Sequence, residues 1–281
     1  MINPTVAMKN IYAIFLLILI SGCRTNFPEQ AKHTRQELGI KIPIREHSVQ
    51  SVLWVQQSGE YRALCYQAFN LAKYQLDDLL SKNEFTGKPL AIITDIDETI
   101  FNNSPFAAKQ IETDKEFNQD SWVQWEKLEQ AKSIPGSLEF LKYAESKGVQ
   151  VFYISNISVL QQKETMNHLK KIGFPYVDEK HMLLKDKTSG KEVRRQIVSK
   201  ENTIVMLLGD TLSDFSDVFD DKSTNDRNNQ VENFRKKFGK EFIVLPNPTY
   251  GDWETKGIYE GNYKWSAVQK DSIRKVKLIS Y

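Results

Sequence analysis

The chain alternates short apolar runs with helical patterns over most of its length. Four runs lack the polar alternation of a half-exposed strand: residues 89–94, 150–155, 203–208 and 241–245. Helical patterns lie between them, over residues 135–147, 159–172 and 189–198. Buried strands separated by helices are typical of a parallel sheet that is covered on both faces. The pattern therefore predicts a doubly wound α/β fold.

Two further segments complete the predicted organisation. Before the first strand, apolar residues recur at three- and four-residue spacing and predict one long helix that ends near Lys82: Tyr61, Cys65, Ala68, Ala72, Leu76 and Leu79. After the first strand, about residues 101–134 are rich in aromatic residues and interrupt the alternation. We interpret them as a small helical cap over the strand ends.

The N-terminal pattern indicates export. The apolar run 11–20 is too short to cross a bilayer as a mature helix but has the length of a signal-peptide core. It leads into Ser21-Gly22-Cys23, which resembles the lipobox of bacterial lipoproteins. We therefore predict a lipoprotein signal peptide over 1–22, lipid attachment at Cys23, and a polar tether over 23–46 that leads from the membrane. The alternative is a plain signal peptide that happens to precede a cysteine.

The residue after the predicted lipidated cysteine suggests a cellular location for the protein. Arg24 follows the predicted lipidated cysteine, where an aspartate would retain many lipoproteins in the inner membrane. We therefore expect the protein in the bacterial cell envelope and, within it, in the outer membrane.

Cys23 and Cys65 are the only cysteines, so lipid on Cys23 leaves Cys65 without a disulfide partner. Its place on the helical stripe predicts a buried structural side chain.

The charge of the chain argues against nucleic acid as a partner. The 281 residues carry a formal net charge of +2, with no basic cluster, so nucleic acid is not an expected partner. The basic residues near the C-terminus are spread among apolar ones and predict a solvated, half-buried edge of the fold. A homo-oligomer is compatible with the sequence.

Carboxylates follow two of the predicted strands. Asp95 and Asp97 come directly after the first strand, and Asp210 and Asp214 follow the strand at 203–208. Because ligands in such sheets bind outside the carboxyl ends of the strands, these side chains are expected at one edge. Four converging carboxylates would repel one another unless a cation held them, and Mg2+ prefers such oxygen ligands. The four histidines are scattered and offer no zinc site.

Groups suited to phosphate occur at the end of one further predicted strand and at the start of a predicted helix. Ser155 and Asn156 end the strand at 150–155, although this pair is also common in turns. Lys191 begins a helical pattern, where a fixed cation and the helix N-terminus would together hold an anion. Lys185 and Lys187 are competing candidates with a more solvated setting.

Taken in order, these motifs resemble those of the haloacid dehalogenase-like (HAD) phosphohydrolases. More narrowly, the chain is similar to the class C bacterial acid phosphatases, the lipoprotein acid phosphatase/5'-nucleotidase family. Further support comes from the lipobox and from three stretches: Asn103-Ser104-Pro105-Phe106, Ile134-Pro135-Gly136, and Pro246 to Glu254. The similarity extends over about residues 45–265 and implies a HAD-like domain over 47–281.

The resemblance implies a role for each motif residue. Asp95 would be the nucleophile, and Asp97 would be the general acid and base. Mg2+ would be held by Asp95, Asp210 and the backbone carbonyl group of Asp97, with Asp214 in support. Ser155, Asn156 and Lys191 would bind phosphate. The implied reaction is Mg2+-dependent hydrolysis of phosphate monoesters through an aspartyl phosphate, and the expected substrates are nucleoside 5'-monophosphates.

Two aromatic residues, and two positions that differ from the family's usual sequence, bear on the choice of substrate. In the family, aromatic rings near the site sandwich a nucleobase, and Tyr250 matches one such position, with Phe106 as a second face; both rings could instead be core residues. Ile157 stands where the family usually has arginine, and Asn102 replaces a more usual aspartate.

Two rival functions remain: a non-catalytic surface lipoprotein that binds a ligand or acts as an adhesin, and a phosphotransferase or hydrolase of small non-nucleotide phosphates.

Overall fold

The computed structural model describes residues 43–82 and 87–281. The strands in these residues are β1 (Leu90–Thr94), β2 (Phe101–Asn102), β3 (Lys132–Ser133), β4 (Gln150–Ser158), β5 (Met182–Lys185), β6 (Thr203–Gly209) and β7 (Phe242–Val244). The α-helices are α1 (Val49–Gln57), α2 (Gly59–Lys82), α3 (Ser104–Thr113), α4 (Gln119–Lys127), α5 (Ser137–Ser146), α6 (Gln162–Ile172), α7 (Glu192–Glu201), α8 (Thr224–Phe234) and α9 (Ala267–Val276).

Five strands form one sheet in the order β5-β4-β1-β6-β7, and every neighbouring pair is parallel. Along β1, Ile92 packs into one apolar cluster, while Ala91 and Ile93 pack into another on the opposite side. The first cluster includes residues of α2, α5 and α6, and the second includes residues of α7 and α8. Because both faces are buried, the strands need no polar alternation. The predicted doubly wound α/β fold is confirmed.

The predicted long helix is α2, which contains the whole predicted stripe and ends at Lys82, and a separate helix, α1, precedes it. Ser58 has an extended backbone (φ −85°, ψ 139°) and interrupts the helical path. Its hydroxyl oxygen accepts a hydrogen bond from the backbone N–H of Tyr61 at 3.1 Å, which caps the start of α2. The stripe predicted from spacing does face the core, and Cys65 is fully buried on it.

Several elements were missing from the sequence prediction, among them β5, α8 and α9. β5 is only four residues long and ends in a lysine, so it was not identified as a strand. Helix α8 begins after Ser223, whose side chain accepts a hydrogen bond from the backbone N–H of Asp226. Helix α9 begins with a capping box between Ser266 and Gln269, so the predicted half-buried edge near the C-terminus is a helix.

The cap lies between β1 and α5. It consists of α3, α4 and the antiparallel pair β2–β3, so it is not purely helical. Asn118 caps α4 by accepting hydrogen bonds from the backbone N–H groups of Asp120 and Ser121. The end of the predicted tether reaches this cap, because the backbone N–H groups of Ile44 and Arg45 donate to Oδ1 of Asp114.

The predicted signal peptide, Cys23 and nearly all of the tether lie outside the described residues. Within residues 43–82 and 87–281, every helix is too short or too polar to cross a bilayer.

Candidate active site

Asp95 and Asp97 lie at the end of the central strand. The chain leaves β1 at Asp95, whose backbone N–H donates to the carbonyl group of Leu208 on β6 at 3.0 Å. This bond keeps Asp95 in register with the neighbouring strand, and its side chain is buried. Two residues beyond Ile96, the chain turns sharply at Glu98, which has a positive φ of 53°.

Three of the predicted carboxylates meet at this edge. Asp210 and Asp214 follow β6, the neighbour of β1, and ligand oxygens of Asp95, Asp210 and Asp214 all lie within 4.8 Å of one another. The oxygens of Asp210 accept hydrogen bonds from Thr99 Oγ1 at 3.2 Å and from Asn247 Nδ2 at 2.7 Å. Both donors fix the direction in which the Asp210 carboxylate points.

Lys191 is buried among these carboxylates. Its Nζ lies 2.6 Å from Oδ1 of Asp214 and 2.7 Å from Oδ1 of Asp95. The contact with Asp214 is a hydrogen bond, whereas Oδ1 of Asp95 is buried and has no well-aligned hydrogen bond among the described residues. Lys191 immediately precedes α7, as the helical pattern predicted. Lys185 and Lys187 lie outside this cluster, and Lys187 is exposed.

The burial of so much charge shifts the pKa values of these groups. Burial raises the pKa of Asp95; Lys191 opposes this shift, and Asp214 adds to it. Burial also raises the pKa of Asp210 well above its usual value, and repulsion from Asp214 and Asp95 adds to that rise. Burial alone would lower the pKa of Lys191, but the carboxylates of Asp214 and Asp95 outweigh burial and raise it. Burial is therefore the main cause of the shifts at the two aspartates, whereas the shift at Lys191 reflects the two carboxylates that face it.

The cluster fits a divalent metal ion. Its three carboxylates face a single ammonium group, which leaves two negative charges uncompensated. Carboxylate oxygens are the ligands that hard divalent cations such as Mg2+ prefer. Both oxygens of Asp214 are already bonded, one to Lys191 and the other to the backbone N–H and hydroxyl group of Thr211. Asp214 accepts three such hydrogen bonds, whereas Asp210 accepts one on each oxygen and Oδ1 of Asp95 accepts no well-aligned one, so Asp95 and Asp210 keep more capacity to bind a metal ion than Asp214 does.

Asp97 points away from this cluster and toward the cap. Its Oδ1 accepts a hydrogen bond from Nδ2 of Asn103 at 2.8 Å, and Oδ1 of Asn103 accepts one from Nε1 of Trp125 at 2.9 Å. Asp97 also lines a small cavity with Glu126 and Ile157. Burial raises the pKa of Asp97 well above its usual value, and Glu98 and Asp95 add to the rise. Burial, rather than repulsion between carboxylates, is the largest cause of this rise in pKa.

Ser155 and Asn156 lie on β4, which continues through both residues to Ser158. The hydroxyl oxygen of Ser155 accepts a hydrogen bond from the backbone N–H of Ile157 at 3.2 Å. Arg194, on the first turn of α7, donates to the carbonyl oxygen of Ser155 at 2.5 Å and to Oδ1 of Asn156 at 2.7 Å. Ile157 is buried and faces the cavity beside Asp97.

Comparison with known proteins identifies the family. The family model of the HAD superfamily, subfamily IIIB (acid phosphatase), matches residues 29–253 of the chain. The chain belongs to this family. A structure of the class C acid phosphatase from Bacillus anthracis with tungstate bound is 42% identical, with a TM-score of 0.81; the match covers 85% of this chain and 100% of that chain. A second structure of the same Bacillus anthracis enzyme matches equally well. The predicted resemblance is confirmed, and the protein is a class C acid phosphatase that hydrolyses phosphate monoesters.

Tyr250 and Phe106, the predicted stacking residues of this acid phosphatase, differ in their surroundings. The Tyr250 residue is 40% exposed, while its hydroxyl group is buried and donates to Oε2 of Glu98. The ring of Phe106 packs edge-on against Trp122, with centroids 5.0 Å apart, and also lies near Phe117. Tyr250 therefore offers an accessible ring beside the motif of Asp95, whereas Phe106 belongs to an aromatic cluster of the cap.

Sequence reasoning had assigned no role to four residues that hold the acid phosphatase site together: Glu98, Asn103, Arg194 and Asn247. Glu98, Asn103 and Asn247 occur in stretches that carried the family resemblance, so their proximity to those motifs could have indicated a role in the site. Arg194 occurs three residues after Lys191, the spacing that places two side chains on the same side of a helix. That spacing alone would not have shown its contact with β4.

Proposed function

We propose that this acid phosphatase is Mg2+-dependent, acts through an aspartyl phosphate on Asp95, and takes nucleoside 5'-monophosphates as substrates. The observation that carries the proposal is the position of Asp95 at the end of β1. Its buried Oδ1 lies 2.7 Å from Lys191 and within reach of the Asp210 and Asp214 carboxylates. Oδ1 has an ion-pair contact with Lys191 but no well-aligned hydrogen bond, so it keeps lone pairs with which it could attack phosphorus.

The surroundings of Asp95 supply what an anionic substrate requires. A phosphate monoester and the attacking carboxylate repel each other, so the site must neutralise charge before they can meet. Lys191 provides one fixed positive charge, and Ser155 and Asn156 follow on the neighbouring strand. A divalent cation held by Asp95 and Asp210 would further neutralise the phosphoryl oxygens. The related enzyme from Bacillus anthracis has a structure with tungstate bound, and tungstate is a tetrahedral anion like phosphate, which supports an oxyanion as the ligand of this family.

The proposed reaction has two steps. In the first, an oxygen of Asp95 bonds to phosphorus, the bond to the leaving oxygen breaks, and Asp97 gives its proton to that oxygen. In the second, Asp97 takes a proton from water as the water oxygen bonds to phosphorus, and the bond between phosphorus and Asp95 breaks. The first step needs Asp97 to be protonated, and its raised pKa favours that state at mildly acidic pH.

Trapping the intermediate tests this mechanism. Acid quenching of a reaction with 32P-labelled substrate should leave label on the wild-type protein and none on the Asp95→Asn variant. Asp97→Asn should retain label longer, because hydrolysis of the aspartyl phosphate loses its base. Label on a folded Asp95→Asn protein would refute Asp95 as the nucleophile.

A substrate panel tests the metal and the substrate class. Nucleoside 5'-monophosphates and sugar phosphates would be compared from pH 4 to 8, with Mg2+ and with EDTA. We expect activity to be lost in EDTA, restored by Mg2+, and highest with nucleotides. Equal kcat/KM for ribose 5-phosphate and a nucleotide would reject the nucleotide preference. Phosphate transfer to an added alcohol in excess over hydrolysis would identify the enzyme as a phosphotransferase.

We also propose that the enzyme is anchored in the outer membrane of a bacterial envelope through lipid on Cys23. The support is the lipobox-like sequence before Cys23 and the absence of aspartate after it. Cells grown with labelled palmitate should label the wild-type protein but not Cys23→Ser, and Cys23→Ser should leave the membrane fraction. Label retained by Cys23→Ser would refute the anchor.

A further inference from the structure

Arg194 connects strand β4 to the loop before α7, and the proposed reaction uses both segments. From α7, its guanidinium group donates to Ser155 and Asn156 on β4. The same group donates to the carbonyl oxygen atoms of Ser189 at 3.0 Å and Gly190 at 3.3 Å, in the loop that ends at Lys191. Since the side chain is buried and all of these partners are acceptors, Arg194 holds the strand and the loop together.

The chemistry of the two side chains fixes the orientation of Asn156. A guanidinium group has donors and no acceptor, so the atom of the Asn156 amide that faces Arg194 must be Oδ1. The Nδ2 group, with its two N–H donors, must then point away from Arg194. Because Asn156 is exposed, those donors are available to an anion at the strand end.

The neighbouring hydroxyl group is oriented in a similar way. Oγ of Ser155 accepts the backbone N–H of Ile157, so the hydroxyl hydrogen of Ser155 is available to donate elsewhere. The carbonyl oxygen of Ser155 is held by Arg194 on the other side of the backbone. Two donors, one from Ser155 and one from Asn156, are therefore prepared before substrate arrives.

We propose that Arg194 is a positioning residue that presents the Asn156 amide N–H donors to the transferred phosphoryl group and sets their distance from Lys191. The proposal rests on the proposed phosphate-binding role of Ser155, Asn156 and Lys191. Lysine cannot replace Arg194, because one ammonium group lacks the planar fork that bonds Asn156 and the Ser189–Gly190 backbone together.

A double-mutant cycle separates positioning from simple structural support. Arg194→Lys, Asn156→Ala and the double variant would be compared by the inhibition constant of inorganic phosphate against hydrolysis of p-nitrophenyl phosphate. Each single change should raise that constant about tenfold, the effect of one lost charge-assisted hydrogen bond. The double variant should be no worse than the weaker-binding single variant, because both changes remove the same donor.

The matched control is Arg227→Lys, since Arg227 is also a buried arginine that donates to a backbone carbonyl group, that of Phe219. This change should leave the inhibition constant unchanged even if it lowers the melting temperature. An unchanged constant in Arg194→Lys, or effects that add fully in the double variant, would overturn the proposal.

Asn156→Ala tests the proposal even if Arg194→Lys fails to fold, because an unchanged constant in that variant alone also overturns it. Asp95→Asn, assayed alongside, keeps the two ideas separate. An active Asp95→Asn enzyme contradicts the proposed mechanism. An inactive one with normal phosphate inhibition in Asn156→Ala contradicts the phosphate-binding role of Asn156, and with it the role of Arg194, but leaves the aspartyl-phosphate mechanism standing.

Discussion

The ammonium group of Lys191 lies between two carboxylates, 2.7 Å from Oδ1 of Asp95 and 2.6 Å from Oδ1 of Asp214. All three side chains are buried, so the ion pair holds the proposed nucleophile in a fixed place. Oδ1 of Asp95 nevertheless accepts no well-aligned hydrogen bond among the described residues. Lys191 thus serves both the fold, by offsetting buried negative charge, and the proposed chemistry, by attracting a phosphoryl group.

Replacing Lys191 with methionine should therefore lower both activity and stability, because it leaves buried carboxylates without their cation. Loss of a fixed charge that faces the developing negative charge should lower kcat by about 10²–10³-fold. Steady-state kinetics with p-nitrophenyl phosphate and circular dichroism would measure the two effects. Lys187→Met is the control, since Lys187 is exposed nearby and should tolerate the change. A Lys191→Met enzyme with wild-type kcat would contradict the proposed role.

Gly209→Ala should disturb the carboxylate cluster without altering its charge. A Cβ atom at Gly209 would lie 2.7 Å from Cγ of Asp214 and closer still to its Cβ, so Asp214 must move. We expect a loss of about 1–3 kcal/mol in the free energy of unfolding, together with weaker Mg2+ activation. Urea denaturation and a Mg2+ titration of activity would measure these effects. Gly59→Ala, where nothing lies within 4 Å of the added atom, should be neutral or slightly stabilising; equal behaviour of the two variants would contradict the prediction.

Two substitutions at Tyr250 distinguish the contribution of its ring from that of its hydroxyl group. Tyr250→Phe keeps the ring but leaves Glu98 without this donor, and should cost about 1–3 kcal/mol of stability with little change in the KM for nucleotides. Tyr250→Ala removes the accessible ring and should raise the KM for a nucleoside monophosphate more than the KM for ribose 5-phosphate. Thermal denaturation and paired KM values would check both. Equal changes in the two KM values would argue against stacking on a base.

Glu126 makes folding stability depend on pH. Burial raises its pKa from 4.5 to about 8; a hydrogen bond from Trp122 opposes the rise, and Glu164 adds to it. Because the folded state keeps a proton that the unfolded state has lost, stability should fall as pH rises from about 5 to 8. Glu126→Gln should remove this part of the decline, and denaturation at pH 5 and 8 would measure it. The exposed Glu112→Gln should leave the slope as in wild type, and an unchanged slope in Glu126→Gln would reject the assignment.

The sequence by itself determined the fold class and where the chemistry lies along the chain. Apolar runs without polar alternation identified β1, β4, β6 and β7, because strands buried on both faces carry apolar residues throughout. Once the strands were recognised as parallel, Asp95 and Asp210 had to emerge at one edge. That inference needed only local pattern and a general property of sheets.

Only the tertiary structure decided how the site is held and which groups are perturbed. Asp97 turns toward Asn103 in the cap, and Tyr250 reaches Glu98 across 152 positions in the sequence. Arg194 joins strand β4 to the loop before α7. These contacts depend on long-range packing, which periodicity does not encode. The same is true of the pKa shifts, since burial, their largest cause at Asp95, Asp97 and Asp210, exists only once the chain has folded.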